Sequence, residues 1–291
     1  MARYLRCFVK LDFKYQDIEN RCEGGARVFE LDNHEAFQES FCLVLKSKKP
    51  NKVVISVPHD GVGFSGLFGG MLSQRESART VRDRKVWPIA TGILSSTEHT
   101  SAIRGLMPRK YLDYNRSWPD PVNYYPHTQL GSTSALDDER LSTAYLAYHE
   151  MIEHLLKIGI DAFGNEKVLL LDLHGFSEQP EYAPIPNGYD LIFGTGNRGS
   201  ILYGDVDIVM GEYLRERGYS VFIPGVNPVD GKMDDCFAGD FTTRHHSRTS
   251  EVNAIQIEVA NRFREGEEAK ILGSKLIQDL SDFVNDNGII S

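Results

Sequence analysis

The sequence predicts one α/β domain built on a three-layer mixed, mostly parallel sheet with helices on both faces. Strand-length apolar runs alternate with helix-length amphipathic stretches along the chain. Val168–Leu171 is continuously apolar and Val53–Val57 is broken only by Ser56, the pattern of strands buried on both faces. No repeat or obvious linker interrupts the alternation over 291 residues, a length that one large domain can hold. Residues 1–291 are therefore read as a single domain, with an N-terminal strand-helix extension at about 1–50.

Composition narrows the partners. Acidic residues outnumber basic ones by 41 to 32, and no Lys/Arg-rich block offsets this locally, which argues against a nucleic-acid or anionic-membrane surface. An anionic small molecule would have to be held by a few placed arginines. The four cysteines, Cys7, Cys22, Cys42 and Cys236, show no CxxC spacing, and the first residues lack a signal-peptide apolar core. The expectation is a reduced, cytoplasmic protein without a cysteine metal site or a membrane span.

Residues 4–9 and 27–31 read as an opening hairpin or edge strands around the turn-prone Glu23-Gly24-Gly25. Asn33 is placed to cap a helix from about His34 to Lys46, whose Phe37, Phe41 and Leu45 recur at i, i+4 and i+8; His34 at its start is structural. Val53–Val57 is a buried strand ending in Pro58-His59-Asp60-Gly61. Residues 61–70 hold five glycines, a loop rather than a packed element, and no Lys-Ser/Thr follows to make it a phosphate loop.

A helix is expected from Asp83 to about Ser96, with Pro88 in its first turns and Asp83 where an N-cap or a loop ligand would sit. Ala102–Leu112 carries a strand signal that breaks at Asp113-Tyr114-Asn115-Arg116. Residues 118–134 are too long and too rich in Pro, Asn, Tyr and Gly for a plain connection, the composition of a lid. A long helix spans roughly 137–158, and the run from Lys167 then reaches Asp172-Leu173-His174-Gly175. Side chains alternate along a strand, so Asp172 and His174 share a face, the spacing in which a carboxylate orients an imidazole. Residues 178–186 form a second Pro-rich excursion.

The strand Tyr189–Phe193 runs into Gly194-Thr195-Gly196-Asn197-Arg198-Gly199, a G-x-G-x-x-G match, before a helix at about 203–217. A dinucleotide site needs an acid at the end of the next strand, yet Tyr219–Ile223 ends in Pro224-Gly225, so a tight glycine turn is the better reading. Ile255, Ile257 and Val259 alternate with Gln256 and Glu258, placing that pair on one strand face. A structural helix closes the chain at about 267–284.

His59, Asn115-Arg116, Asp172-His174 and Glu258 thus collect at or near strand ends, where open α/β sheets keep their sites. Two neutral histidines with one carboxylate and an open position form a hydrolytic zinc set, which lowers the pKa of water from about 15.7 to about 7. A free Glu would be the general base, and arginine forks would hold an anionic substrate.

Five separated motifs between about Val53 and Arg262 carry a family resemblance: Val57-Pro58-His59-Asp60-Gly61, Arg109-Lys110-Tyr111-Leu112-Asp113-Tyr114-Asn115-Arg116, Asp172-Leu173-His174-Gly175, Phe241-Thr242-Thr243-Arg244-His245 and Gln256-Ile257-Glu258. In order and spacing they resemble the N-formylglutamate amidohydrolases, relatives of the zinc carboxypeptidases and aspartoacylases. The resemblance implies a zinc-carboxypeptidase-like, phosphorylase/hydrolase-like fold and one zinc ion. It implies His59, Asp83 and His174 as ligands, with Glu98 the second candidate for the acidic one. Glu258 and Arg109 would be catalytic, Asn115, Arg116 and Arg244 would bind substrate, and Asp172 would support His174 from behind. The substrate would be a small anionic N-acyl amino acid, first of all N-formyl-L-glutamate. The chain departs from the pattern at Asp60, where Ser is usual, and at Gly175, which replaces the Ser after the second His. Another amide is the neighbouring reading, and the alternative class is a non-catalytic or nucleotide-binding α/β protein using the Gly194–Gly199 loop.

Overall fold

The structure, a computed structural model, describes residues 33–39, 42–61, 82–109, 112–117, 139–177, 188–226 and 239–286. The expected strands at 4–9 and 27–31, most of the glycine-rich loop at 61–70, the lid-like stretch at 118–134 and the Pro-rich excursion at 178–186 lie outside these residues.

Among the described residues eight strands form one sheet: β1 (His34–Glu39), β2 (Cys42–Ser47), β3 (Val53–Val57), β4 (Thr100–Gly105), β5 (Leu169–Phe176), β6 (Leu191–Gly194), β7 (Val221–Phe222) and β8 (Asn253–Ala260). Their order is β1-β2-β4-β3-β5-β8-β6-β7, with β4, β3, β5 and β8 parallel neighbours and β6 antiparallel to β8. The α-helices among the described residues are α1 (Val86–Ser95), α2 (Glu139–Phe163), α3 (Val206–Glu216), α4 (Phe241–Ser250) and α5 (Ala269–Asn285).

Both sheet faces are covered, which is why β3 and the first half of β5 read as largely apolar runs. Val53, Ile55 and Val57 join Leu169, Leu171 and Leu173 in a core with α1, α3 and α5. Val54, Leu170 and Ala254 point the other way, against α2. Asp172, His174, Gln256 and Glu258 continue that second set, so the period-two pattern places them on the α2 face. Among the described residues no helix is long and apolar enough to cross a membrane.

Several expectations are corrected. The helix expected from His34 to Lys46 is instead the antiparallel pair β1 and β2, and β2 pairs in turn with β4. Cys42 and Val44 face one core while Leu43 and Leu45 face the other. That two-sided burial suits a strand, and the spacing of Phe37, Phe41 and Leu45 was coincidental. The strand expected over Ala102–Leu112 ends at Gly105, ahead of Pro108, whose ring removes a ladder donor. The helix after Asp83 starts at Val86, and its N-cap is Lys85, so Asp83 is not the cap. The helix expected at about 203–217 is present as α3, which starts at Val206 and so does not follow the Gly194–Gly199 turn directly. Asn197 and Arg198 both take left-handed backbone there, and Arg198 folds back onto Asp205 and Asp207.

Candidate functional site

Three segments deliver the site from the C-terminal ends of β3, β5 and β8. His59 follows β3 by one proline, and the chain then turns against β4. A Cβ on Gly61 would stand 2.5 Å from Met107 O and 2.8 Å from Leu106 O, so glycine is what allows this approach. His174 is the sixth residue of β5. The parallel register sets it beside Glu258, and Asp172 beside Gln256.

The two imidazoles are oriented in the same way. His59 Nε2 lies 2.6 Å from Asp113 Oδ1, and His174 Nε2 lies 2.9 Å from Asp172 Oδ2. Asp172 is fixed in turn by Ser56, whose hydroxyl donates to Oδ1 over 2.7 Å and also contacts Tyr148 OH. With the ring neutral, each carboxylate holds hydrogen on Nε2 and leaves a lone pair on Nδ1, as the partner of a metal-ligating histidine does. Both Nδ1 atoms face Asp83 Oδ2, His174 at 3.2 Å and His59 at 3.4 Å. His59 Nδ1 is buried without a hydrogen-bond partner.

These separations fit a metal. A tetrahedral zinc with bonds of about 2.0–2.2 Å spaces its ligand atoms by about 3.3–3.6 Å, and the candidate ligand atoms of His59, Asp83 and His174 all lie within 4.8 Å of one another. The charge balance fits as well. Asp83, Asp113, Asp172 and Glu258 are all buried around the two rings, an acidic excess that a divalent cation relieves. Burial opposes ionisation of Asp83, but the neighbouring His174 and His59 imidazoles and the Arg109 guanidinium outweigh it and hold the carboxyl below its usual range. Glu98, by contrast, is exposed and pairs with Lys49.

Asp83 is not held by its own helix. Its N–H donates to His59 O over 3.1 Å. Asp60 Oδ1 accepts from Arg82 Nε at 2.7 Å, and Oδ2 accepts from Trp87 N at 2.8 Å, so Asp60 supplies the cap that Asp83 does not. Arg264 completes the clamp. Its guanidinium lies across Gly175 and donates to the carbonyls of Arg84, Phe176 and Val259. A Cβ at position 175 would meet Arg264 Cζ at 2.3 Å. Both departures from the family pattern, Asp60 and Gly175, therefore serve the segment that carries Asp83.

Glu258 is buried, and Gln256 Nε2 donates to its Oε1 over 2.9 Å while Gln256 Oε1 accepts from Asp240 N. Burial pushes the Glu258 carboxyl up to about 7, with His174 pulling it down and Asp83 pushing it up. Arg109 Nε donates to Asp113 Oδ2 over 3.1 Å, and its Nη1 stands 3.8 Å from Asp83 Oδ1. Arg116 donates to Asp240 Oδ2 at 2.8 Å, while its Nε is buried without a hydrogen-bond partner. Asn115 accepts from Thr242 N at the start of α4, and its Nδ2 lies 3.2 Å from His174 Nε2. Arg244 stands in the first turn of α4 against the Gly196 turn. The structure thus gathers His59, Asp83, His174, Asp172, Glu258, Arg109, Asn115 and Arg116, with Arg244 on the adjoining helix.

Sequence reasoning gave no role to Asp113, Gln256, Asp240 or Arg264. Asp113 had a signal, since it lies inside the Arg109–Arg116 motif and mirrors Asp172. Arg264 had none beyond a glycine after His174 that no turn required.

The family model for N-formylglutamate amidohydrolase matches residues 51–263. The chain belongs to the N-formylglutamate amidohydrolase family. It is accordingly a hydrolase of the amide-cleaving class. Among solved structures, an N-formylglutamate amidohydrolase from Ralstonia eutropha JMP134 is similar at 20% identity and a TM-score of 0.58, with 85% of this chain and 99% of that one covered. A gene product of Agrobacterium tumefaciens is similar at 16% identity and a TM-score of 0.57, covering 84% and 93%. At these identities the likeness shows the fold. No curated protein matches the sequence.

Proposed function

We propose that this member of the N-formylglutamate amidohydrolase family is a zinc-dependent enzyme that hydrolyses N-acyl amino acids, N-formyl-L-glutamate first, to formate and glutamate. The observation that carries the reading is the convergence of two carboxylate-oriented Nδ1 atoms on Asp83 Oδ2. His59, Asp83 and His174 would hold one ion, which when bound supplies Lewis acidity that makes water acidic near neutral pH and polarises an amide carbonyl.

The chain's own groups do the rest. Glu258, with its carboxyl raised to about 7 by burial, is suited to take a proton from the attacking water and pass it to the departing amine. Arg109, oriented by Asp113, is placed to stabilise negative charge that develops on the carbonyl oxygen. Asn115, Arg116 and Arg244 would hold the carboxylates of a small anionic substrate, and a planar guanidinium suits that task. Asp60 and Gly175 face the Asp83 segment, so their departure from the family pattern gives no reason to prefer another substrate. An acidic chain without CxxC spacing suits the cytoplasm.

The experiment is elemental analysis of the zinc-reconstituted protein together with turnover on a panel of N-formyl, N-acetyl and N-succinyl amino acids. The expected result is one tightly held zinc, lost in His59→Ala and in His174→Ala, with N-formyl-L-glutamate the preferred substrate. A protein that stays metal-free after reconstitution overturns the metal reading. A higher kcat/KM on another member of the panel replaces the substrate.

A further inference from the structure

A second group of imidazoles lies between α2 and α4 and shares no residue with the set at the strand ends. It comprises His149 and Glu153, one turn apart on α2, and the consecutive His245 and His246 of α4. The backbone orders its protons. Tyr114 O can only accept, so the Nε2 of His149, 2.9 Å away, carries hydrogen. Burial, reinforced by His245, holds His149 down to about 3, so the ring is neutral and its Nδ1 accepts. His246 Nε2 sits 2.9 Å from that Nδ1 and therefore donates to it. Burial and the neighbouring imidazoles also hold His246 well below its ordinary value. A neutral ring that donates through Nε2 keeps a bare lone pair on Nδ1. That atom is buried and has no hydrogen-bond partner.

Buried polar atoms are normally paired, and an imidazole whose far nitrogen donates into a fixed chain is oriented as a metal ligand is. Two further donors are at hand. Ligating atoms of Glu153, His245 and His246 lie within 4.8 Å of one another, and His245 Nε2 is 3.6 Å from Glu153 Oε1. His245 is steadied by stacking on Phe241, with ring centroids 4.7 Å apart and planes at 16°. The Glu153 and His245 side chains are 46% and 32% exposed, so an ion can enter from solvent and keep water in its open position.

We propose that Glu153, His245 and His246 form a second site for a divalent transition metal, bridging α2 and α4. Two imidazole nitrogens and one carboxylate favour zinc, cobalt or nickel over magnesium or calcium. An ion held there ties α4 to α2. It thereby steadies the helix that carries Arg244 and whose Thr242 N–H is bound by Asn115.

The test is a zinc titration of the metal-free full chain against a chromophoric chelator, repeated with cobalt and read by its visible absorption. Wild type is expected to bind two equivalents. Glu153→Gln and His245→Gln should each lose the weaker equivalent and keep the tighter one, while His59→Ala should do the reverse. The exposed Glu153 gives a variant that folds even if His245→Gln does not, and unfolding of the metal-free proteins checks both. A second equivalent that survives both substitutions overturns the proposal, as does a wild type whose only equivalent is the one that His59→Ala removes. If His59→Ala changes nothing while His245→Gln removes an equivalent, this site stands and the reading of the strand-end site as the zinc centre falls.

Discussion

Replacing Glu258 by Gln separates two roles that the same carboxylate plays. The side chain is buried beside His174, and Gln256 Nε2 donates to its Oε1. Gln keeps the shape and that acceptor but cannot take up a proton. General acid-base catalysis contributes typically ~10²–10⁴-fold, so kcat at saturating zinc should fall by that factor while zinc content stays the same. Stability should move the other way. The rise from 4.5 to about 7 means that the charged carboxylate opposes folding of the metal-free protein by roughly 3 kcal/mol above neutral pH. Between these two values the folded state binds more protons than the unfolded one, so raising the pH destabilises wild type. The penalty is full above about 7 and absent below 4.5. Metal-free Glu258→Gln should therefore resist denaturant better than wild type at pH 8, and this advantage should vanish near pH 4.5. Near-normal kcat refutes the base. Lost zinc shows that a ligand was mistaken for the base, and a less stable variant at pH 8 refutes the burial argument.

Asp83→Asn should weaken zinc binding, measured by chelator competition, far more than Glu98→Gln does; the reverse order transfers the ligand role to Glu98. Asp113→Asn and Asp172→Asn should each weaken zinc binding by roughly 10–100-fold, because each releases an imidazole from its orientation. Unchanged affinity in both would show that the rings are held by packing alone. Gly175→Ser drives its Cβ toward Arg264, which must release the carbonyls of Arg84, Phe176 and Val259. Unfolding experiments should show a loss of about 1–3 kcal/mol, the range for overpacked sites, with weaker zinc binding alongside. A variant as stable and as tightly loaded as wild type would mean that Arg264 does not brace Asp83.

The sequence by itself determined the central strands and the residues at their ends. Largely apolar runs closed by turn residues are local signals, so Val53–Val57 before His59 and the run through Asp172 and His174 were legible. The shared face of Asp172 and His174 was legible too, because strand periodicity needs no partner. The first hairpin was not legible, since Phe37, Phe41 and Leu45 fit a helical period and only pairing with β1 and β4 makes β2 a strand. Nor was the placement of Asp83, whose position before a helix suits a cap equally well until Asp60 is seen to fill that role. Tertiary structure also decided which carboxylate stands behind His59, which arginine lies over Gly175, and which histidine nitrogens are left bare. These depend on segments far apart in sequence meeting at the ends of parallel strands. The parallel register of β5 and β8 then sets Glu258 beside His174, a neighbour that neither strand specifies alone.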